Sequence, residues 1–465
     1  MEQLVQIVQR AAAEKLTVKA IGGRHSFNAI LETSGVAINM SRLNQILTID
    51  VNAHTIEAEA GATLADVIRA ANLEGLHFSS LGSWHSQSLA GAIATSTHGS
   101  SLTHGSLSDF VIEIEAVLAD GSIRRVSDGD TLRAFRCHLG QLGLITKVKL
   151  QLEPAFFLSC THKVLPDDQG FQEASSLARE AEFFNMLWLP YSQEALVRTL
   201  VRVPELQPNA AALEYRRKKT TRLNISHTIE DTWNYALGHV FVRAPKPIRY
   251  FYMREVRKAF QEDDGFIDKS FHLFLYDQFR EPKENRKLRL ILNSEYAIAA
   301  RDVADVMAKM KRVLSAWYDK GCVINYPRIH VRFAPKSGQT LVGLNSDRET
   351  AYIGIYIVAS IQHAPQIPIA INLEEILEQA GGRPHWGKYR YLGCQASHST
   401  HPGMIRFEHV RNDLDPTGMF RDGRFMFGGL NRFDNPPEGR LRSVFETPYR
   451  DIVDLCGDKL RNDTS

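Results

Sequence analysis

The sequence has few cysteines, little excess charge and no long apolar run. Its five cysteines are scattered and contain no C-x-x-C pair, which argues against a disulfide scaffold and a cysteine-rich zinc site and favours a reducing compartment. The formal net charge of +2 gives no support to a nucleic-acid partner. No stretch approaches the roughly 18 apolar residues of a membrane span, and no secretory signal is visible. We therefore expect a cytoplasmic protein without a transmembrane span, and peripheral membrane contact stays open.

The chain has an ordinary globular composition, with 44% hydrophobic and 23% charged residues over 465 positions, enough for about two domains. Apolar residues recur at helical spacing in the first fifteen positions, and Thr63 is placed to cap a second helix that stops near Gly75. Alternating and β-prone runs occupy residues 17–21, 46–51, 55–60, 111–118, 122–126 and 144–152. Together these patterns predict a compact α+β domain over residues 1–155.

The residue pattern changes after Pro154, where aromatic residues become more frequent and the predicted helices become longer. An amphipathic helix is predicted from Val303 to Trp317, followed by β-like runs at 330–333 and 352–358. We expect a second domain over residues 156–380, with a sheet backed by helices, and a loose tail over 436–465.

A glycine pair directly follows the first β run, in the segment 21–28, which reads Ile-Gly-Gly-Arg-His-Ser-Phe-Asn. Two glycines allow a tight turn that aims successive N–H groups at one point, as in sites that hold a diphosphate. G-x-G-x-x-G is absent, so the segment is not a Rossmann fingerprint. Taken alone, a plain turn with an exposed His25 is the commoner outcome, and phosphate binding is the alternative.

Small and hydroxyl-bearing residues dominate the segment 79–101. Such a stretch packs poorly as a core strand, so we expect a flat or phosphorylated ligand to approach its backbone closely. A flexible linker is the alternative. Leu89, Ala92 and Ile93 interrupt the polarity, and a tryptophan and two histidines are unusual in a linker. We interpret the segment as a binding loop.

Cationic side chains stand out at two further places. Residues 381–389 formally contain G-x-x-x-x-G-K, but Tyr389 stands where a phosphate loop has Ser or Thr. Lys388 therefore suggests a cation in an aromatic-lined pocket, although a surface lysine is commoner. His330 and Arg332 alternate in a β-like run and so share one face of a strand; a solvent-facing side is the commoner outcome. No cluster has the pattern of a metal site.

Four motifs, at residues 22–28, 90–99, 385–388 and 414–420, occur in the order seen in one family. The chain resembles the FAD-dependent sugar oxidoreductases of the vanillyl-alcohol oxidase superfamily, above all the aldonolactone and alditol oxidases, over about residues 1–155 and 320–425. The resemblance implies an α+β fold with a two-lobed FAD-binding domain, built from the N-terminal part and a return of the chain over 381–435. A mixed sheet-and-helix substrate domain is then inserted between them.

The resemblance also implies the site residues. His25 matches the histidine that many members bond covalently to a methyl carbon of FAD, and Lys388 matches the active-site lysine of the His-Trp-x-Lys motif. The diphosphate would lie against Ala20, Ile21, Gly22, Gly23, Arg24, His25 and Ser26. The rest of the cofactor would be lined by Ser83, Ser88, Gly91, Thr95, Ser96, Thr97 and His98, with Ile145 at the flavin ring edge.

Two departures from the family pattern bear on the function. Members usually carry Glu-x-Arg where this chain has His330-Val331-Arg332, so an imidazole replaces the carboxylate and the substrate is left in doubt. Members also usually have a further N-terminal segment that contributes an early strand and part of the adenine site. We therefore expect either a shortened sequence or a weakened cofactor site.

The expected reaction is oxidation of a CH–OH group in a sugar alcohol or aldono-1,4-lactone, with molecular oxygen as acceptor and hydrogen peroxide as product. Arg332 and Lys388 are expected to stabilise the developing alkoxide or the anionic reduced flavin. His330 is the expected base, because an imidazole titrates near neutrality. Two alternatives stay open: a dehydrogenase of the same fold that reduces a quinone or cytochrome, and a non-catalytic flavin-binding protein.

Overall fold

A computed structural model describes residues 1–204, 208–213, 244–245, 247–251, 253, 265–274, 291–324, 328–358, 366–390 and 400–421. The tail expected at 436–465 lies outside the described residues. Among the described residues, no helix has both the length and the apolar character that crossing a bilayer requires.

The first half of the fold is a layered α+β unit. After α1 (Glu2–Ala13), the short strand β1 (Val18–Ile21) pairs in parallel with β2 (Val36–Asn39). The remaining strands are β3 (Ile46–Asp50), β4 (Thr55–Glu59), β5 (Leu76–His77), β6 (Val111–Val117), β7 (Ile123–Val126), β8 (Leu144–Gln151) and β9 (Glu153–Pro154). The helices are α2 (Leu64–Leu73), α3 (Leu89–Ala94) and α4 (Gly129–Phe135). Five strands form an antiparallel sheet in the order β3-β4-β8-β6-β7, and β5 pairs with β9.

Local sequence signals explain α2. The hydroxyl of Thr63 accepts a hydrogen bond from the N–H of Asp66 at 3.1 Å, which satisfies one of the helix's free N–H groups. The helix buries Leu64, Val67, Ile68 and Ala71, which recur at helical spacing. Gly75 follows its end with a φ of +71°. The expected start and stop of this helix are confirmed.

The second half is built on one large antiparallel sheet. Its strands are β10 (Phe157–Pro166), β11 (Phe183–Leu189), β12 (Glu194–Val203), β13 (Phe266–Lys269), β14 (Ile291–Ala299), β15 (Ile329–Ala334), β16 (Thr350–Val358) and β17 (Arg383–Pro384). They lie in the order β13-β10-β12-β11-β15-β16-β14-β17. The helices are α5 (Asp167–Glu180), α6 (Ser270–Phe274), α7 (Val303–Asp319) and α8 (Gln366–Gln379).

The two faces of this sheet have different partners. Val331 and Phe333 lie on the face that packs with α5, α7 and α8 in one apolar core. Ala297 and Tyr352 belong instead to a core shared with the first half of the chain. Because side chains alternate along a strand, His330 and Arg332 lie on the side that faces the first half. The sheet therefore forms a wall of any site between the two halves.

The chain returns to the first half near its C-terminal end. Helix α9 (Met404–Leu414) packs against α4. The N–H of Val18 donates to the carbonyl oxygen of Met419 at 2.9 Å, and Met419 shares a core with Leu4 and Val8. The Asp415 carboxylate accepts from the N–H of Met419 at 2.8 Å, which fixes this turn.

Candidate active site

The glycine turn after β1 packs against the start of α3. Gly22 has no room for a side chain, because a Cβ atom there would lie 2.1 Å from Oγ of Ser88. The N–H of Gly23 donates to the same oxygen at 3.2 Å. The two segments that the sequence analysis assigned to the cofactor are therefore in direct contact.

A groove runs along this contact. Its lining includes the nominated residues Ala20, Gly22, Gly23, Arg24, His25, Ser26, Ser88, Gly91, Thr95 and Ile145. It also includes residues that the sequence analysis did not nominate, among them Lys19, His138, Leu139 and Gly140. Ile21, Ser83, Ser96, Thr97 and His98 do not line this groove.

The groove suits an anionic, closely held group. No Asp or Glu lines it among the residues that the structure describes, whereas Lys19, Arg24 and His25 do. Arg24 and Leu139 adopt left-handed φ angles of 57° and 53°. This conformation costs a non-glycine residue about 1–2 kcal/mol, and such strain concentrates where backbone holds a ligand. The lining fits the diphosphate of FAD.

His25 is half-buried beside Trp84, with ring centroids 5.5 Å apart. Its Nε2 atom lies 3.0 Å from the carbonyl oxygen of Ser86 and 3.3 Å from Nε1 of Trp84. The first contact needs a proton on Nε2 and the second needs a lone pair, so the two belong to different tautomers. In either tautomer the imidazole is held against the segment 84–86.

The segment that carries His25 is bonded to the segment that carries Lys388. The N–H of Phe27 donates to the carbonyl oxygen of Gly387 at 2.8 Å. The Asn28 side-chain amide donates to the carbonyl oxygens of Trp386 and Lys388, at 2.6 and 3.1 Å. Residues separated by about 360 positions in the sequence thus form one side of the site.

Lys388 projects its ammonium group into a polar interior. Nζ lies 5.3 Å from the centroid of the Phe27 ring, within cation–π distance. With its amide oxygen turned toward the lysine, Asn293 accepts a hydrogen bond from Nζ at 2.8 Å. Burial lowers the pKa of Lys388 below its usual value, and the positive charge of Arg332 lowers it further. The negative charge of Glu295 acts in the opposite direction.

Glu295 is a fully buried carboxylate at the centre of the cationic groups. Arg332 donates from Nη2 to its Oε2 atom, and Nε2 of His98 lies 3.1 Å from Oε1. Burial favours the neutral acid, but the Arg332 charge, His98 and Lys388 together hold the pKa of Glu295 well below its usual value. Glu295 is therefore an anion that balances the cations around it.

Two histidines flank this carboxylate. The ring of His98 stacks on Tyr352 with centroids 3.5 Å apart, and Nε2 of His385 lies 4.0 Å from Oε1 of Glu295. Burial lowers the pKa of His385 to about 3, and burial with the Arg332 charge lowers that of His98. Both imidazoles are therefore neutral at physiological pH.

His98, Glu295 and His385 offer three potential metal-ligand atoms within 4.8 Å of one another. A divalent cation there would share its only carboxylate with Arg332, and its positive charge would lie beside that guanidinium. The charges of the cluster are those of a buried ion pair with neutral histidines around it, and they do not favour a metal site.

His330 and Arg332 both line a cavity of about 320 Å³ between the two halves. The expectation that they share one face is confirmed. The reason given for His330 as a base is wrong, however, because burial and the charges of Arg332 and Arg328 lower its pKa to about 3. Its imidazole does not titrate near neutrality. Ser83, nominated for the cofactor, lies in this cavity's lining.

The comparisons with known proteins agree with this architecture. An FAD binding domain model matches residues 1–127, and the D-arabinono-1,4-lactone oxidase model matches residues 148–426, which is more than half of the chain. The chain belongs to the D-arabinono-1,4-lactone oxidase family. This family member is accordingly an FAD-dependent oxidoreductase that acts on CH–OH donors.

Two relatives that align over about nine-tenths of their length are named as a lactone oxidase and a lactone dehydrogenase. The family member is 26% identical to bovine L-gulonolactone oxidase, with 90% of this chain and 91% of the relative covered. It is 28% identical to L-gulono-1,4-lactone dehydrogenase from Mycobacterium tuberculosis, over 90% and 91% of the two chains. Cholesterol oxidase from Brevibacterium sterolicum has the same fold, with a TM-score of 0.71 over 91% of each chain at 16% identity.

Sequence reasoning missed Glu295 and Asn293. Both lie on β14, whose sequence Ile-Leu-Asn-Ser-Glu-Tyr-Ala-Ile-Ala has one charged residue in an otherwise uncharged strand. A lone carboxylate at the middle of a buried strand is rare unless it is paired, and that was the available signal. Its partner Arg332 could be recognised only from the strand order.

Proposed function

We propose that the enzyme oxidises a CH–OH group of an aldono-1,4-lactone or a sugar alcohol and passes the electrons through FAD to molecular oxygen, giving hydrogen peroxide. The observation that carries the proposal is the cluster in which buried Glu295 is bonded to Arg332 and interacts with the charge of Lys388. The cluster places one of its fixed cations, Arg332, in the wall of the cavity. The names of the relatives, which are lactone oxidases and a lactone dehydrogenase, favour a lactone substrate.

The lining of the cavity suits a small ring with several hydroxyl groups. Ser80, Ser83, Ser100 and Asn185 supply hydroxyl and amide groups, which hydrogen-bond to substrate hydroxyls. Leucine and phenylalanine side chains of β11 and β12 form another part of the wall and suit the less polar face of a sugar ring.

Bound FAD supplies the acceptor for the hydride that leaves the substrate carbon. Arg332 and Lys388 stabilise the negative charge that develops on the substrate oxygen, because both are preorganised in a site largely closed to water. The proton of the hydroxyl passes to Nε2 or Nδ1 of neutral His330. Despite its low pKa the imidazole is a sufficient acceptor, because the hydroxyl becomes strongly acidic as the C–H bond breaks.

We also propose that the cofactor is bonded to His25. The imidazole lies in the lining of the FAD groove, and its contacts with Ser86 and Trp84 hold it in place. An oriented, half-exposed nucleophile at the groove wall is the arrangement that a covalent bond to a ring methyl carbon requires. The new bond would replace the N–H bond of the imidazole and one C–H bond of the methyl group; the flavin would take up the two electrons and two protons, and molecular oxygen would then remove them as hydrogen peroxide.

A second candidate function is a dehydrogenase that reduces a quinone or cytochrome instead of oxygen. The dehydrogenase from Mycobacterium tuberculosis favours it, since it is about as similar to this chain as the oxidases are.

One assay separates the two functions. Purified FAD-loaded protein is incubated with L-gulono-1,4-lactone, D-arabinono-1,4-lactone, xylitol and sorbitol, in air with peroxide detection and anaerobically with an artificial quinone acceptor. Peroxide formed in step with substrate supports the oxidase. Turnover only with the quinone supports the dehydrogenase, and no reduction of the bound flavin by any of the four compounds contradicts both.

A further inference from the structure

We infer that Glu295 is a positioning residue of the active site: it reaches across the bare backbone of Gly354 to hold Arg332, and so replaces, from another strand, the carboxylate that position 330 lacks. The inference rests on the proposed function in one respect, since it takes Arg332 and Lys388 to be the groups that face the substrate. Glu295 itself touches neither the cavity nor, on this view, the substrate.

The strand register places positions 295, 354 and 330 in one row across the sheet. Glu295 on β14 is opposite Gly354 on β16, and Gly354 is opposite His330 on β15. Side chains at paired positions point to the same face of the sheet. Glu295 and His330 therefore share a face, two strand spacings or about 10 Å apart across the sheet, with only a glycine between them.

The glycine is what allows the contact. A Cβ atom at position 354 would lie 3.3 Å from Oε2 of Glu295 and 3.8 Å from Cβ of His330. The first distance is tighter than ordinary van der Waals contact, so with a Cβ atom there the carboxylate would have to shift by a few tenths of an ångström. With glycine in place, the Glu295 side chain lies over β16 and meets the guanidinium of Arg332.

This placement changes what the substrate meets. His330 and Arg332 line the cavity, whereas the side chain of Glu295, which is 0% exposed, lies behind them. In a Glu-x-Arg arrangement a carboxylate at position 330 would face the cavity as well. Here β15 presents a cation and a neutral imidazole to the cavity, and the balancing anion is withdrawn from the substrate.

A second carboxylate at position 330 would also be unfavourable in this sheet. It would lie across Gly354 from Glu295, and two like charges in a buried site raise each other's pKa. A neutral His330 avoids that repulsion. The site therefore holds one described carboxylate for two cations, a balance that favours an electron-rich, anionic reduced cofactor beside it.

The charge balance is tested by the midpoint potential of the bound flavin, measured by dye-coupled reduction. Glu295→Gln removes the anion, so reduction becomes easier and the potential rises. His330→Glu adds an anion and lowers the potential. We also expect kcat to fall at least about tenfold in Glu295→Gln, because Arg332 loses its fixed orientation.

The matched control is Glu374→Gln. Glu374 on α8 is another fully buried carboxylate, and it is bonded to Ser294 and Tyr296, the neighbours of Glu295 that point to the opposite face of β14. This change disturbs the same strand but not the site, so the potential should stay at the wild-type value. Equal shifts in the two glutamine variants, or no shift in Glu295→Gln, would refute the inference.

A readout without cofactor comes from the stability of the apoprotein. The pKa of Glu295 in the folded state lies well below its usual 4.5, so the stability that it contributes is present above about pH 4.5 and is lost as the pH falls through the folded value. The groups that set this pKa are Arg332, His98, Lys388 and the neighbouring His385 and Tyr352. The difference in melting temperature between wild type and Glu295→Gln should therefore be largest near pH 7 and shrink below pH 4.

The glycine is tested by Gly354→Ala, with Gly338→Ala as control, since a Cβ atom at position 338 meets nothing within 4 Å. We expect the first variant to lose turnover and the second to keep it. If Gly354→Ala is fully active, the contact between Glu295 and Arg332 does not require a glycine at position 354. Because the potential and the apoprotein melting curves require no substrate, the inference can fail or stand separately from the proposed substrate and acceptor.

Discussion

The side-chain amide of Asn28 is bonded to the carbonyl oxygen of Lys388 at 3.1 Å, although 360 residues separate them in the sequence. The same amide also bonds to the carbonyl oxygen of Trp386. The loop that carries the proposed FAD-bonding histidine and the loop that carries the proposed catalytic lysine are therefore joined by one side chain.

Asn28→Ala should weaken cofactor retention and lower stability. Two hydrogen bonds to the carbonyl groups of Trp386 and Lys388 are lost, which corresponds to about 1–3 kcal/mol. The measurements are thermal unfolding and the FAD content of the purified protein. Asn372→Ala is the control, because Asn372 bonds to Trp317 and Glu375 on the helix-covered side of the sheet. If both variants retain FAD equally, the link between the loops does not matter for binding.

His25→Ala should abolish covalent attachment of FAD. The wild-type band on a denaturing gel is expected to fluoresce under ultraviolet light, and the variant band is expected to be dark while the native variant still binds FAD. His104→Ala, which removes a half-buried histidine paired with Glu182, should leave the fluorescence unchanged. A dark wild-type band would show that the cofactor is held without a covalent bond.

Lys388→Ala should reduce kcat by about 10²–10³-fold, the usual effect of losing one preorganised charge-stabilising group. Lys311→Ala, which removes a lysine paired with Asp167 and Asp168 on the far side of the sheet, is the control and should keep full turnover.

The pH profile gives a second test of Lys388. Its pKa is lowered from 10.5, so its cationic form, and with it kcat/KM, should decline on the alkaline side before that value is reached. Lys388→Arg should move this decline to higher pH, because a guanidinium stays protonated. An alkaline decline that stays in place in the arginine variant would argue against the role of the lysine.

The activity profile should contain no ionisation of His330 near neutrality. Its pKa of about 3 means that the imidazole is already neutral at pH 5, so raising the pH to 8 changes nothing at this residue. His330→Asn should lower kcat by about 10²-fold, the range for loss of a proton acceptor, without removing any step between pH 5 and 8. If the variant loses a step near pH 6.5, His330 titrates as a conventional base.

Local patterns were sufficient for some of the elements and for some faces of the fold. The Thr63 cap, the spacing of apolar residues in α2 and the alternation at His330 and Arg332 depend on neighbours in sequence. The resemblance supplied His25 and Lys388, because their motifs are contiguous. Their placement against each other through Asn28 is a tertiary fact that no local pattern encodes.

Glu295 shows what local sequence patterns cannot predict. It is 37 residues from Arg332 in sequence, and their contact depends on the order β15-β16-β14 and on a glycine in the middle strand. The expected near-neutral titration of His330 failed for a related reason. A reference pKa applies to a solvated side chain, and the sequence did not reveal that this imidazole is enclosed with Arg332 and Arg328.

The bond between Val18 and Met419 has a consequence for biosynthesis. During translation the ribosome releases the first strand long before the segment that completes its hydrogen bonding and covers Leu4 and Val8. The nascent N-terminal lobe must therefore wait, with apolar surface uncovered, until some four hundred further residues have emerged. Premature termination anywhere before position 419 would leave a chain that cannot close this lobe, and such a product is a candidate for chaperone capture or degradation.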